Sequence, residues 1–101
     1  MAKAYMIANI EVHDPDTFAE YAKQVPATIA AHGGQYLIRG GDITLVEGDG
    51  LPQPRLVIIE FDSMTALQGW YDSEAYQAIL PTRLRASSGS AVAVEGYVPV
   101  A

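Results

Sequence analysis

The chain contains no cysteine. That absence removes thiol nucleophiles, thiolate metal ligands, redox pairs and disulfide staples together. Cations are scarce as well: Lys3, Lys23, Arg39, Arg55, Arg83 and Arg85 stand against twelve Asp and Glu, for a formal charge of −6. Spread along the chain, these six form no basic stripe, so neither nucleic acid nor an anionic lipid surface is an expected partner. No apolar run is long enough to cross a membrane, and Met1 to Ala8 is too short for a signal peptide, so the expected location is cytoplasmic. What remains is 101 residues, half of them apolar, enough for one domain spanning residues 1–101 with a thin core. With no disulfide to compensate, packing and oligomerisation must supply its stability.

Nucleotide and serine chemistry also lack their signatures. Gly48-Asp49-Gly50 is followed by no third glycine, and Pro52 and Pro54 forbid an immediate helix. Ser87, Ser88 and Ser90 flank Gly89 without forming a Gly-x-Ser-x-Gly elbow. His13 and His32 have no second ligand at metal-binding spacing, so neither a metal nor a cofactor is expected. The one ligation left open is haem through His32.

The residues that are present describe an α+β domain. Ala4 to Val12 alternates and reads as a strand. Asp14-Pro15 is a helix start, and Phe18, Tyr21, Ala22, Val25 and Ile29 recur at helical spacing up to Gly33, with a kink predicted at Pro26. Gln35 to Glu47 reads as a second strand interrupted at Gly40-Gly41, residues 48–54 as a loop, and Arg55 to Phe61 as a third strand. A second helix is capped by Asp62-Ser63, recapped at Ser73 and broken by Pro81. Ser87 to Ser90 is expected as a loop and Ala91 to Val98 as the last strand. The order is βαββαβ, a ferredoxin-like plan: an antiparallel sheet with strand order 4-1-3-2 and its helices on one face.

Alternation then divides the sheet. Met6, Ala8, Ile10, Val12, Tyr36, Ile38, Val57, Ile59, Phe61, Val92, Val94 and Val98 are assigned to the helix side. Tyr5, Ile7, Asn9, Glu11, Leu37, Arg39, Leu56, Ile58, Glu60, Ala93, Glu95 and Tyr97 are assigned to the open side. That second face is too apolar to be left in water, so a homodimer through the open sheet face is expected, enclosing a pocket around its polar residues.

Four stretches carry a resemblance: Gly33 to Gly41, Val57 to Ser63, Trp70 to Tyr76, and Val94-Glu95-Gly96. They resemble the domain-of-unknown-function family thirteen-thirty over nearly the whole chain. That family is similar to the dimeric α+β barrel group, whose members include cofactor-independent quinol monooxygenases, muconolactone-type isomerases, haem-dependent dismutases and peroxidases, and proteins with no known reaction. The resemblance implies the fold and the dimer and leaves the chemistry open.

The candidate catalytic pair is Arg39 and Glu60, expected on one face of neighbouring strands. There the guanidinium would receive a substrate carboxylate or enolate and Glu60 would orient it or accept a proton. The same two residues serve equally well as a structural ion pair. Asn9 is a candidate holder of a carbonyl oxygen. Trp70, Tyr71 and Tyr76 beside Arg83 suit a flat anionic ligand, although an aromatic stripe at helical spacing is more often packing. These residues outline a small protein that binds an aromatic or carboxylate-bearing metabolite, with cofactor-independent monooxygenase- or isomerase-like turnover open to it. The rival is a non-catalytic binding or assembly module whose polar sheet face only specifies the dimer.

Overall fold

The computed structural model describes residues 2–100. Its elements are β1 (Ala4–Val12), α1 (Pro15–Ala22), α2 (Val25–Ala30), β2 (Gln35–Arg39), β3 (Arg55–Phe61), α3 (Met64–Tyr71), α4 (Glu74–Ala86) and β4 (Ser87–Glu95). The sheet is antiparallel with order β2-β3-β1-β4, as the alternation predicts, and each expected helix is two shorter ones. Three caps set the helix starts. Asp14 accepts from Thr17 N–H, Ser63 from Ala66 N–H and Ser73 from Tyr76 N–H, each satisfying an otherwise orphan donor. The kink expected at Pro26 is the break between α1 and α2, where Pro26 occupies the first turn of the new helix.

The core lies between the sheet and the helices. Ala4, Met6, Ala8 and Ile10 of β1 and Ile59 and Phe61 of β3 face Tyr21, Val25, Ile29, Leu67, Trp70, Tyr76, Ile79 and Leu80. Trp70, Tyr76 and Phe61 are its largest fully buried side chains. Burying each adds about 1.5–3 kcal/mol of apolar transfer, so these rings account for much of the stability of so small a domain.

Four expectations are corrected. Pro81 does not break α4; it lies inside the helix at an exposed position, where water can take the carbonyl that loses its partner. Residues 42–47 form no strand, so β2 ends at Arg39. Ser87 to Ser90 is not a loop but the start of β4, which follows α4 directly and ends at Glu95. Gly89 permits this, with φ +139° and a backbone so close to Asn9 and Ile10 that a Cβ would overlap the Asn9 carbonyl oxygen. Finally, β4 has the opposite facing. Ala93 pairs with Met6 and Ala91 with Ala8 on the helix side, while Val92 and Val94 lie opposite Ile7 and Tyr5 on the open side, 52% and 43% exposed; Val98 lies beyond the strand. The two alanines face α3 across a shallow groove that Leu67 and Tyr71 also line, and both remain exposed.

A register shift changes β2 as well. Tyr36 pairs with Ile59, but Ile38 pairs with Ile58 and Arg39 with Val57, so Leu37 is the extra residue of a bulge. Past that bulge every side chain changes face. Ile38 therefore turns to the open side and Arg39 to the helix side.

Candidate functional site

The bulge separates the expected catalytic pair. Arg39 shares the helix-side face with Val57, whereas Glu60 lies opposite Tyr5 and Gln35 on the open face. Glu60 is fully engaged there: it accepts from the Tyr5 hydroxyl at 3.1 Å and the Gln35 amide at 2.8 Å, with the Lys3 ammonium 3.9 Å away. The hydrogen bond to Glu60 in turn raises the Tyr5 pKa.

Asn9 occupies the same open face and is also spoken for. Its amide donates to the carbonyl oxygens of Gln53 and Arg55, at 3.0 and 3.1 Å, and accepts from Gln53 N–H. It pins the turn into β3, and thereby the start of the strand that carries Arg55. Tyr71 lies elsewhere again, in a shallow groove with Met6, Leu67, Ala91 and Ala93 beside β4.

The remaining candidates do meet. Arg39, Trp70, Tyr76 and Arg83 line one cleft between helices and sheet, together with Tyr21, Tyr36, Arg55, Phe18 and the apolar side chains of β1 and β3. Arg83 arrives there because Tyr76, Ile79, Leu80 and Arg83 form the buried stripe of α4. Arg55 arrives because its alternation is that of Val57, Ile59 and Phe61. Arg55 is not among the candidates of the sequence analysis, although a cation in phase with a core-facing strand is a visible signal. Tyr21 and Tyr36 carry only the spacing of core residues in the sequence.

The electrostatics of the cleft are one-sided. Among the described residues the ion pairs are Lys3 with Glu60 and Asp62 and Lys23 with Glu20, and none involves an arginine. Arg83 is only 8% exposed, and its Nε, like that of Arg55, is buried without an acceptor. Arg39 and Arg55 instead lie over aromatic rings, with guanidinium carbons 4.6 Å from the Tyr36 centroid and 5.5 Å from that of Phe18. Arg39 also reaches across the mouth to donate to the Ala22 carbonyl oxygen at 2.8 Å. Gly40, at φ +72°, leaves the space that the Arg55 guanidinium fills; a Cβ there would overlap it.

The tyrosines are donors too. The Tyr21 and Tyr76 hydroxyls lie 2.8 Å apart, so whichever donates to the other, one phenolic proton is left over. Burial, then the neighbouring Tyr76 phenol, pushes the Tyr21 pKa far up, against the opposing pull of Arg83. Burial also raises Tyr36, partly offset by Arg39. The Trp70 indole N–H is already given to Thr28 Oγ1 at 3.0 Å, and the ring packs 4.2 Å from Tyr76, so Trp70 is a wall of the cleft. Among the described residues no carboxylate or imidazole lines the cleft. The arrangement can therefore donate hydrogen bonds to an acceptor-rich ligand but offers no side-chain carboxylate or histidine as a base. As it stands the cavity is small, about 40 Å³, room for roughly three waters. Elsewhere His32 places Nδ1 3.2 Å from the Thr28 carbonyl oxygen in the turn after α2, and no group of three or more metal-ligating side chains occurs among the described residues. Among the described residues no helix is long and apolar enough to cross a membrane.

Comparison with known proteins gives family and fold. Residues 3–97 match a family described as Domain of unknown function (DUF1330). No curated protein matches. Among solved structures the chain is similar to RPA0582, a protein of unknown function from Rhodopseudomonas palustris, at 14% identity and a TM-score of 0.77, covering 97% of this chain and 85% of that one. It is also similar to SnoaB, a cofactor-independent oxygenase from Streptomyces nogalater, at 9% identity and TM-score 0.57, covering 100% and 97%. An antibiotic biosynthesis monooxygenase aligns at 14% identity and TM-score 0.56, covering 98% and 100%. At these identities the shared property is the ferredoxin-like fold of the dimeric α+β barrel proteins.

Proposed function

The chain belongs to the DUF1330 family, and from that premise we propose that it binds a small organic anion with a flat, apolar body in the helix-side arginine cleft. One observation carries the reading: three arginines converge on a single cleft with no carboxylate to neutralise them, in a chain that has twice as many acids as bases. A buried cation without a partner costs stability, so its retention points to a partner that comes and goes. The aromatic walls suit a planar hydrocarbon, and the protonated phenol adds a neutral donor. Because the cleft supplies no carboxylate or imidazole base, turnover of the kind known for the fold's oxygenases would need its proton acceptor from the ligand or from water.

The open face supports a second part of the proposal, a homodimer formed sheet against sheet. Ile7, Ile38, Ile58, Val92 and Val94 make an apolar strip there, and Glu60, already held by Tyr5 and Gln35, gives that strip a polar mark that fixes register. Calorimetric titration with benzoate and with benzamide tests the ligand reading. Benzoate binding with no detectable benzamide binding is expected; equal binding of the two, or of neither, contradicts it.

A further inference from the structure

The three arginines are not equivalent. Arg83 lies deep, on the stripe of α4, near the Tyr21 and Tyr76 hydroxyls. Arg39 and Arg55 belong to the rim. Arg39 pairs with Val57, two residues from Arg55 and on the same face, so the two rim arginines are diagonal cross-strand neighbours, about 7–8 Å apart at their backbones. Like charges so placed repel unless an anion lies between them. Each is braced by a ring, Tyr36 or Phe18, which holds a guanidinium in place without neutralising it. The one acceptor that Arg39 holds is a neutral backbone carbonyl at the mouth, readily exchanged for a carboxylate.

The cleft thus has two cationic ends joined by apolar and aromatic wall. We propose that its ligand is a flat dianion, an aromatic or otherwise unsaturated dicarboxylate. One carboxylate would lie on Arg83 and the leftover phenolic proton, the other between Arg39 and Arg55. This rests on the anion-binding reading above and narrows it to a charge and a shape. The space of about 40 Å³ leaves room for a small polar head such as a carboxylate, and the body of the ligand takes the room that Arg39 vacates when it leaves the Ala22 carbonyl. Two charge-assisted ends make the second carboxylate worth about tenfold or more in affinity.

Calorimetric titration of the full chain with benzoate and terephthalate at low ionic strength tests this. Terephthalate binds at least about tenfold more tightly than benzoate to the native chain, and Arg39→Gln collapses that ratio towards one. Arg83→Met loses both ligands while keeping its fold by circular dichroism. Because a dianion releases more charge interaction to salt, added sodium chloride narrows the ratio in the native chain without any variant being needed. Equal affinity for the two acids overturns the dianion while leaving the anion site standing, as does an Arg39→Gln variant that keeps the full ratio. Binding of neither acid overturns the anion site and this inference together.

Discussion

The two faces of the sheet treat charge in opposite ways. On the open face Glu60 collects a phenol, an amide and an ammonium, and Asn9 spends its amide on the backbone of the turn into β3. On the helix face Arg83 and Arg55 keep buried Nε groups without acceptors, and Arg39 spans the mouth to a lone carbonyl. Polar groups that are satisfied within the chain serve architecture; buried donors left over are built for something outside it. The residue types alone would have reversed that judgement, since an Arg and a Glu on neighbouring strands look like a pair.

The largest effect that separates the faces is expected at Trp70. Trp70→Ala removes a fully buried ring from the helix side and lowers stability by about 3–5 kcal/mol, read as the urea midpoint. A loss confined to ligand affinity would instead make Trp70 a binding residue with no packing role. On the open face, Ile58→Lys leaves each fold intact but puts a charge in the middle of the apolar strip. Light scattering should then report a monomer for the variant and a dimer for the native chain, and equal masses for the two would remove the proposed sheet-to-sheet interface.

A smaller effect connects the faces. Asn9→Ala strips the partners from the Gln53 and Arg55 backbone and costs about 1–3 kcal/mol. Through the displaced start of β3 it also weakens terephthalate binding, whereas an Asn9 that only packs would leave affinity alone.

The smallest effect belongs to the cleft phenols. Burial raises the pKa of Tyr21 and Tyr36 above the ordinary value of 10.0, so the folded chain holds protons that the unfolded chain releases. Their contribution is complete below pH 10 and is lost as pH rises beyond it. Stability measured by urea titration from pH 9 upward should fall beyond pH 10, less steeply in Tyr21→Phe.

Much of this was legible in the sequence, and the failures have specific causes. The alternation of β1 and β3, the three caps and the strand order follow from side-chain period and capping chemistry alone. In β4 hydrophobicity points to the valines as the core side, but both faces of this sheet carry apolar residues, so it cannot choose; the register with β1 does, setting Ala91 opposite Ala8 and Ala93 opposite Met6. Arg39 was misplaced by one bulge at Leu37, whose position depends on pairing with β3 rather than on any local residue. Arg55 could have been found: it stands in phase with Val57, Ile59 and Phe61, where a cation is out of place unless it has work to do.

Arg83 decides between the two ways of treating charge, and its exchange for methionine is the most direct measurement. Urea unfolding of the native chain and of Arg83→Met, each with and without saturating terephthalate, separates a structural arginine from a ligand-binding one. Relieved of an unpaired buried cation, the apo variant should be at least as stable as the native chain, and only the native chain should gain stability from terephthalate. A variant that loses about 3–5 kcal/mol, as when one partner of a buried ion pair is removed, and a native chain indifferent to the acid, would show that Arg83 holds the fold together and that the cleft awaits no anion.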